Sequence, residues 1–473
     1  MTQVEHTDCL VVGAGPAGSI AAALLAEWGR NVTLVDPAEH AGSIPEETMV
    51  PAARSTLERH GLLASVRAHD LRGTPRHGIL WGDGVGRIRR NAEEERGYKI
   101  DRRLFDRDLR SIAGSRGVRL LEGRRVEGPL PPSGAGEVSL RAADGGATSL
   151  HARSILIAAG KQTGPSLVPL SLERSLPDTL ALIAIVDRPR ADRDLTYVEA
   201  VAEGWLWWLP LRDGRVSLSL FCDPWELRER GRDVVFDAAI GQAAGPARGL
   251  QIRPCAGVVA TPRLLSTPAG AILTGDAAST IDPLSSQGIE KAIVSAEAAA
   301  VAVNTLLDGG VDPVALRNHH HAWETRLWLG HARQSLHYYL NETRFADRPF
   351  WERRHAAVSV EFESTAADGL PARIRIADGV SRRRAFRRKG RLLEPVEGFG
   401  LPDSPEVHER LGHVPVAPLL RILGNTGSTD EIIERAGHDA DLCLLSRRMV
   451  LQALTELLRV GIIEDAGRPG DRR

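Results

Sequence analysis

The stretch DCLVVGAGPAGSIAAALLAEWGRNVTLVD, residues 8–36, decides the fold of this chain. Residues 8–14 form an apolar run that leads into glycine, as a buried parallel strand does, and residues 16–29 have the alanine and leucine content of a helix. Residues 31–36 predict a second strand. A strand, a crossover helix and a strand within about thirty residues make a βαβ unit, which implies a parallel sheet with a right-handed crossover. The sequence therefore predicts an α/β fold.

The glycines of this unit have the spacing of a dinucleotide-binding turn. Gly13 permits the tight turn, Gly15 lets the backbone approach a phosphate, and Gly18 lets the helix pack on the strand. The positive end of the helix, at Ala17, meets the pyrophosphate. Asp36 ends the second strand and can accept hydrogen bonds from ribose hydroxyls. We expect these five residues to bind the cofactor.

A second motif favours FAD over NAD as the primary ligand. The strand at 271–274 runs into Gly-Asp, and an Asp-Pro pair and a Ser-Ser-Gln-Gly turn that opens a helix follow it. The acid is expected near the ribityl chain or the pyrophosphate, and the positive end of the helix near the isoalloxazine. Another strand, 154–159, also runs into glycine. The residues expected to bind FAD in these segments are Gly160, Gly275, Asp276, Pro283, Gln287, Gly288 and Ile289.

The charge balance and the cysteines exclude several classes of protein. Lys plus Arg number 60 against 61 for Asp plus Glu, so the chain has no global charge for nucleic acid or membrane. The four cysteines form no C-x-x-C pair, which disfavours disulfides and a zinc site. The N-terminus has no basic region before its apolar run, and no stretch reaches the ~18 apolar residues of a membrane span. We expect a cytoplasmic protein that binds no metal, nucleic acid or membrane.

Strand and helix patterns divide the chain into four regions. Residues 181–187 and 215–221 alternate as half-buried antiparallel strands do, and 414–464 show three helical patterns followed by IIED. Within the third region, residues 366–405 are Arg-rich and loop-like. The expected regions are an FAD-binding domain at 1–70, 100–165 and 255–310, a substrate domain at 71–99 and 166–254, a helical and Arg-rich connecting region at 311–405, and a small winged-helix-like unit at 406–473.

The motifs resemble those of a known class of flavoproteins. The pairing of GAGPAG with GDAA and Asp-Pro is similar to the glutathione-reductase-like flavoprotein monooxygenases. Within them, GWLWWLPL at 204–211 is similar to the W-x-W-x-I-P signature of flavin-dependent halogenases, and residues 337–351 resemble the stretch after the flavin helix. The resemblance covers about residues 8–355. It implies a glutathione-reductase-like Rossmann domain for FAD and an antiparallel-sheet substrate domain.

Two further segments carry the resemblance. Residues 101–106, DRRLFD, match a D-R-x-x-F-D segment from which an arginine reaches the cofactor, and we assign that role to Arg103 rather than Arg102. Residues 47–53, ETMVPAA, are similar to the E-S-L-x-P-A-A variant of halogenase-like monooxygenases that hydroxylate a tryptophan within a partner protein during tryptophylquinone maturation. Glu47 and Thr48 of this segment are expected to contact FAD.

The resemblance separates a halogenase from a hydroxylase by two missing groups. A halogenase of this family uses a lysine amine to deliver HOCl, but the matching position in TPRHGILW is Arg76, which stays protonated and supplies no free amine. The glutamate of the tryptophan halogenases aligns with Ser285. The resemblance then implies direct transfer of oxygen from a flavin C4a-hydroperoxide, formed with O2, to an electron-rich ring. His77 is a candidate acid or base beside this ring.

The tryptophans of the W-x-W-x-I-P signature favour a halogenase instead. On a strand, Trp205 and Trp207 share one face and Trp208 takes the other, so at least one of them packs in the core. In the halogenases this motif is thought to wall the flavin off from the substrate. A flavin-dependent halogenase therefore stays open as an alternative. We take Arg76, His77, Trp205, Trp207 and Ser285 as the candidate catalytic residues.

The substrate and the reductant are less defined. The basic stretch RRRAFRRKGR at 382–391, followed by a small helical unit, suits an aromatic substrate carried on a peptide or protein, although such a stretch is also typical of a solvated face. FAD is reduced either by NAD(P)H or by a separate flavin reductase. An isoprenoid double-bond reductase and a flavin-regulated nucleic-acid binder are further alternatives, and the apolar helix at 447–460 disfavours the second.

Overall fold

The computed structural model describes residues 5–38, 46–51, 53–64, 75–92, 97–187, 194–268, 270–362, 370–402, 404 and 406–467. Ala52 and Thr74, which belong to two of the segments discussed above, lie outside these ranges. The chain divides into two compact units, the first formed by Met1–Leu307 with Glu324–Val358 and the second by Asp308–Trp323 with Ser359–Arg473.

The strands of the first unit, in chain order, are β1 (Glu5–Val12), β2 (Val32–Asp36), β3 (Glu46–Met49), β4 (Arg76–Leu80), β5 (Arg87–Arg90), β6 (Tyr98–Asp101), β7 (Arg119–Glu122), β8 (Arg124–Glu127), β9 (Gly136–Ala142), β10 (Ala147–Ile157), β11 (Ser171–Glu173), β12 (Leu180–Asp187), β13 (Leu195–Val201), β14 (Gly204–Pro210), β15 (Arg215–Cys222), β16 (Ala256–Val259), β17 (Arg263–Ser266), β18 (Ile272–Leu273) and β19 (Ser279–Thr280). Its helices are α1 (Pro16–Glu27), α2 (Ala53–Arg59), α3 (Arg102–Ser115), α4 (Pro224–Arg230), α5 (Arg232–Gln242) and α6 (Gly288–Asp308). Two more, α7 (Pro313–Leu340) and α8 (Pro349–Phe362), each have residues in both units.

The first sheet contains the βαβ unit. Its strand order is β7-β2-β1-β10-β9-β8, with β18 paired to β10, and β1 lies parallel to both β2 and β10. Leu10 and Val11 point to opposite faces of β1 and both are fully buried. A strand covered on both faces needs a continuous apolar run, and residues 9–12 of β1 supply it. The predicted α/β fold with a parallel, Rossmann-type sheet is confirmed.

The second sheet has the order β16-β12-β15-β14-β13-β4-β5 and is antiparallel except where β4 meets β13. The alternation predicted antiparallel strands at 181–187 and 215–221, and β12 and β15 confirm them. One face packs on α5, where Phe236 and Ala239 join a core with Leu206 and Trp208. Strand β16 pairs with β12 and so belongs to this sheet, although its residues fall in the range expected for the FAD-binding domain.

The second unit is built around a small sheet and three helices. Its elements are β20 (Arg373–Ile376), β21 (Ser381–Lys389), β22 (Leu392–Gly400), β23 (Arg410–Leu411), β24 (Val414–Pro415), α9 (Val416–Leu423), β25 (Thr426–Ser428), α10 (Thr429–His438), α11 (Arg447–Arg459) and β26 (Ile463–Asp465). The sheet has the order β25-β20-β26, and apolar side chains of all three helices pack around Ile374 of the central strand. The helices and the last strand lie where the sequence predicts them, which confirms a small winged-helix-like arrangement.

The expectation of a loop at 366–405 is wrong, because β21 and β22 form an antiparallel hairpin from Ser381 to Gly400. Strand pairing satisfies the backbone, while the long arginine side chains reach carboxylates around the hairpin. Three ion pairs illustrate this: Arg382–Glu397, Arg387–Glu409 and Lys389–Glu394. Arg383 instead donates to the carbonyl oxygens of Leu401 and Ser404. Much of the charge in the basic stretch is therefore compensated within its own unit.

Two kinds of feature are absent from the described residues. None of the helices there combines the length and the apolar character that crossing a bilayer requires. No group of three or more His, Cys, Asp or Glu side chains in the same ranges is arranged to hold a metal ion.

Candidate functional site

The glycine turn between β1 and α1 leaves room for an anion. A Cβ at Gly13, where φ is +104°, would lie 2.4 Å from the carbonyl oxygen of Ala158, and one at Gly18 would lie 1.9 Å from that of Gly13. Only glycine fits at these two positions. A Cβ at Gly15 would meet no atom within 4 Å, and α1 begins there without a side-chain cap. The open space at an uncapped helix N-terminus fits the pyrophosphate of a dinucleotide.

Asp36 fixes this turn to the end of β2. The side chain is buried, and its Oδ2 accepts a hydrogen bond from the Ala14 amide at 2.7 Å. Its Oδ1 accepts from the Ala38 amide at 2.8 Å. Each carboxylate oxygen has two lone pairs, so the side chain keeps acceptor capacity for a ribose hydroxyl. Asp36 thus has a structural role in addition to the binding role predicted for it.

The second motif packs directly against the first. Gly275 has φ +62°, and a Cβ there would lie 2.6 Å from the Cβ of Ala17. The short turn Gly275–Ala277 also contacts the turn Gly160–Gln162 that follows β10. The structure therefore brings together the residues predicted around the pyrophosphate at the carboxyl ends of the parallel strands, where dinucleotides bind in such sheets. These residues are Gly13, Gly15, Ala17, Gly18, Asp36, Gly160, Gly275 and Asp276.

A buried ion pair holds the second motif in place. The Lys291 ammonium group donates to the carbonyl oxygens of Gly275 at 2.7 Å and Ser279 at 2.8 Å, and lies 3.5 Å from Glu324. Ser295 donates to Glu324 and accepts from the Gly275 amide at 2.8 Å. All these side chains are almost completely buried. Sequence reasoning missed them, although a lone lysine in an alanine-rich helix of an arginine-rich chain is a signal that could have identified Lys291.

The segment before α6 is a tight, capped turn. Asp282 Oδ1 accepts from the Leu284 amide at 2.9 Å, and the Ser285 hydroxyl donates to the Asp282 carbonyl at 3.1 Å. Ser286 has a left-handed backbone with φ +51°. At Gly288, where α6 begins, a Cβ would meet no atom within 4 Å. The residues predicted beside the isoalloxazine, Pro283, Gln287, Gly288 and Ile289, all belong to this turn and the first residues of α6.

The tryptophans of β14 are divided between the faces of the sheet as predicted. Trp208 lies in the core against α5 with Leu206. Trp205 and Trp207 point to the other face, where Trp205 stacks on Phe221 with ring centroids 3.8 Å apart. The Trp205 indole N–H donates to the Tyr339 hydroxyl at 3.2 Å, and this hydroxyl donates to Asp282 Oδ2 at 2.9 Å. Burial raises the pKa of Asp282 and raises that of Tyr339 well above its ordinary value.

Strand register separates Arg76 from His77. Arg76 pairs with Leu195, whose side chain lies in the α5 core, and its guanidinium group lies 3.0 Å from Asp194. His77 is one residue further along, so its side chain leaves the opposite face, which is the face of Trp205 and Trp207. Arg76, one of the candidate catalytic residues, therefore lies on the face opposite Trp205, because alternate residues of a strand point to opposite faces. Of the two, His77 is on the face of those tryptophans.

The two arginines at the start of α3 differ in their contacts, and the role predicted for Arg103 at the cofactor stays a prediction. Arg103 is exposed, and its amide donates to Asp101, the N-cap of the helix. Arg102 instead forms ion pairs with Glu47 at 2.5 Å and Asp106 at 3.0 Å. Glu47 lies on β3 beside Thr48, which pairs with Lys99 on β6. The arginine that the structure brings to the predicted cofactor residues of β3 is therefore Arg102 and not Arg103.

The four lysines of the chain all lie in described residues, and each has a partner. Lys99 donates to the Pro210 carbonyl at 2.8 Å and lies 3.4 Å from Glu46. Lys161 donates to the Val259 carbonyl at 3.1 Å, and Lys389 lies 2.6 Å from Glu394. Lys291 has the contacts given above. Because all four amines have partners, the described residues place no free lysine amine beside Trp205 or Trp207. An ammonium group held in this way by a carboxylate or a carbonyl is a poor nucleophile.

Comparisons with known proteins agree with this geometry. The family described as tryptophan halogenase matches residues 91–368, more than half of the chain. The NAD(P)-binding Rossmann-like domain matches residues 11–65.

Individual relatives have three different activities in their names. The chain is 27% identical to a tryptophan 2-halogenase of Chondromyces crocatus over 65% of this chain and 63% of that protein, so it spans less than two thirds of that relative. It is 27% identical to a menaquinone reductase of Mycolicibacterium smegmatis over 69% of this chain and 82% of the relative. A solved structure of a peptidyl tryptophan dihydroxylase, essential for tryptophylquinone cofactor biogenesis, is similar with a TM-score of 0.65 and 25% identity, covering 96% of this chain and 99% of that one.

We expect Gly15→Val to abolish FAD binding without unfolding the protein. The side chain would enter the open space at the N-terminus of α1, where the pyrophosphate is predicted to bind, and Gly15 has an ordinary φ of −71° that valine can adopt. Flavin absorbance of the purified protein measures occupancy. Gly241→Val, at another glycine with open space around its Cβ, is the matched control and should keep its FAD. Full occupancy in the Gly15 variant would contradict the assignment.

We expect Lys291→Met to lower the free energy of unfolding by about 3–5 kcal/mol, because it leaves Glu324 as an uncompensated buried charge. The control is Lys161→Met, since Lys161 is exposed and should change stability by less than about 1 kcal/mol. Denaturant titration followed by flavin release reports on the first unit. Equal stabilities of the two variants would show that the ion pair does not support the site.

Proposed function

The chain belongs to the tryptophan halogenase family, and from this membership we propose that it is an FAD-dependent monooxygenase that hydroxylates a tryptophan side chain carried on a peptide or protein. The observation that carries the proposal is that each of the four lysine amines is already held by a carbonyl oxygen or a carboxylate. The similarity to a peptidyl tryptophan dihydroxylase over nearly the whole length of both chains supports this choice of substrate.

In this proposal the residues of the two glycine-containing motifs hold FAD. Gly13, Gly15, Ala17 and Gly18 surround the pyrophosphate, and Asp36 accepts from the ribose. Gly160, Gly275 and Asp276 line the pyrophosphate and ribityl region, and the turn before α6 orients the ring system through Pro283, Gln287, Gly288 and Ile289. Glu47, Thr48 and Arg102 close the site from β3 and α3. Bound and reduced FAD supplies the electrons that activate O2.

The remaining residues act on the substrate ring. The buried Trp205 and the partly exposed Trp207 form an apolar wall that excludes water from the reacting atoms. His77, on the same face, accepts or donates a proton at the ring. Ser285 supplies a hydroxyl from the turn before α6, and its donation to the Asp282 carbonyl sets its orientation. Arg76 lies on the other face and orients β4 through Asp194.

The peptide part of the proposal does not depend on the basic stretch of the second unit. Arg382, Arg387 and Lys389 are paired with glutamates there, and Arg383 bonds backbone carbonyls. Charge that is compensated locally attracts an acidic partner only weakly. Support for a peptide substrate comes instead from the similarity to the peptidyl tryptophan dihydroxylase.

A reductase of isoprenoid double bonds is the second candidate function. The 27% identity with a menaquinone reductase over 82% of its length favours it. The two functions differ in their need for O2. A monooxygenase forms no product without O2, whereas a reductase oxidises its bound flavin anaerobically when the isoprenoid substrate is added.

We expect the protein, supplied with FAD, a flavin reductase, NADH and O2, to add oxygen to a tryptophan-containing peptide and to form no halogenated product in chloride or bromide. Mass spectrometry of the peptide distinguishes the two outcomes. Arg76→Lys should also fail to halogenate, because its amine would leave the face opposite Trp205 and Trp207. Halogenated product at catalytic turnover from either protein would contradict the proposal. Turnover of free tryptophan alone would limit the substrate to small molecules.

We expect His77→Ala to lower kcat for hydroxylation by about 10²-fold or more, the usual contribution of a general acid or base. FAD occupancy should be unchanged, because His77 lies on β4 and not in the glycine motifs. Arg76→Ala is the matched control on the other face of the same strand and should change kcat much less. Similar losses in both variants would indicate a structural role for β4 and not proton transfer by His77.

A further inference from the structure

Helix α7 carries polar side chains on a face where a buried helix normally carries apolar ones. Glu324, Trp328, Ser335 and Tyr339 are all buried and follow the spacing of one helix face. Burial of a polar group is costly unless it is hydrogen-bonded. The Tyr339 hydroxyl meets this requirement because it both donates and accepts a hydrogen bond.

The Tyr339 ring is fixed by aromatic neighbours. Phe350 and Trp351 meet it edge to face with centroids 6.0 Å away, and Trp81 lies 6.4 Å away. The guanidinium group of Arg354 lies 5.4 Å from the ring centroid. A ring packed in this way has little rotational freedom, so a displacement at one partner of its hydroxyl is passed on to the other.

This hydroxyl connects two parts of the proposed active site. On one side it donates to Asp282, whose other carboxylate oxygen caps the turn before α6. On the other side it accepts from the indole of Trp205, which stacks on Phe221. The chain of atoms therefore runs from the turn predicted to orient the isoalloxazine to the wall predicted to enclose the substrate, and all three side chains are buried.

We propose that Tyr339 is a positioning residue that couples the turn at Asp282 to the indole of Trp205, so that the substrate wall responds when FAD occupies its site. The use of this coupling in a reaction rests on the proposed function. The contacts from which the coupling is inferred are hydrogen bonds within this chain. Without the hydroxyl, the Trp205 N–H and one Asp282 oxygen would each lose a buried hydrogen bond, and the indole would no longer be tied to the turn.

The test uses the full-length protein labelled with 5-fluorotryptophan, which gives nine fluorine signals for the nine tryptophans. The signal of Trp205 is the one lost in Trp205→Phe. We expect it to shift when FAD is added to the wild-type protein. In Tyr339→Phe, FAD should still bind, as measured by quenching of flavin fluorescence, but the shift of the Trp205 signal should be lost. Tyr338→Phe is the matched control, because that side chain is 39% exposed, and it should behave as wild type.

A second pair of variants tests the other end of the connection. Asp282→Asn has one acceptor oxygen for two donors, the Tyr339 hydroxyl and the Leu284 amide, so the FAD-induced shift should become smaller, whereas Asp282→Ala should lose it altogether. If Tyr339→Phe does not fold, this pair decides the question by itself. A wild-type shift in Tyr339→Phe, or in Asp282→Ala, would overturn the proposal.

The same variants separate this inference from the proposed function. The fluorine measurement needs FAD but no substrate, so it can succeed even if no tryptophan hydroxylation is found. If the proposed function holds as well, Tyr339→Phe should form less product for each O2 consumed than Tyr338→Phe does, with the remainder released as hydrogen peroxide. Equal product yields together with a lost fluorine shift would leave the coupling in place but remove its importance for the reaction.

Discussion

The buried ion pair of Lys291 and Glu324 is the interaction on which the flavin site depends. The turn at Gly275 presents carbonyl oxygens to the interior, and Lys291 satisfies two of them while Glu324 compensates its charge. Taking two such charges out of water costs several kcal/mol for each ion, which a complete set of hydrogen bonds is needed to offset. Because Gly275 packs on Ala17, the pair also fixes the contact between the two motifs. The site therefore depends on α6 and α7, far from the glycine turn in sequence.

Residues of the site that act on near neighbours in sequence could be predicted, whereas those that act on partners far away along the chain could not. The roles of Gly13, Gly15 and Gly18 depend on backbone geometry within a few residues, and the sequence predicts where each of them lies. Glu324 and Tyr339 act on partners more than forty residues away, Ser279 and Asp282. Their polar character on a long helix suggests exposure, yet both are buried. No local pattern distinguishes such residues from the solvated face of a helix.

The position of a residue along its strand or helix decides which side chains it can contact. Similarity to a family transfers a position along the chain, but a strand reverses the direction of its side chains at every step. Arg76 and His77 therefore lie on opposite faces, and only His77 shares the face of the tryptophans. Helix α3 shows the same effect, because Arg102 contacts Glu47 while its neighbour Arg103 is exposed. Register and helix phase have to be known before a matched residue can be given a role.

In the sequence, the tryptophans of β14 favour a halogenase, whereas in the structure their contacts do not distinguish a halogenase from a hydroxylase. Trp205 is buried, stacked on Phe221 and bonded to Tyr339, so packing and hydrogen bonding within this chain explain its place. A wall of this kind encloses a ring whether oxygen or a halogen is transferred to it. The difference between the two reactions lies in the amine that a halogenase of this family requires. Since Lys99 is held by Glu46 and a backbone carbonyl, and the other lysines have partners of their own, the contacts of the lysines support the proposed direct transfer of oxygen.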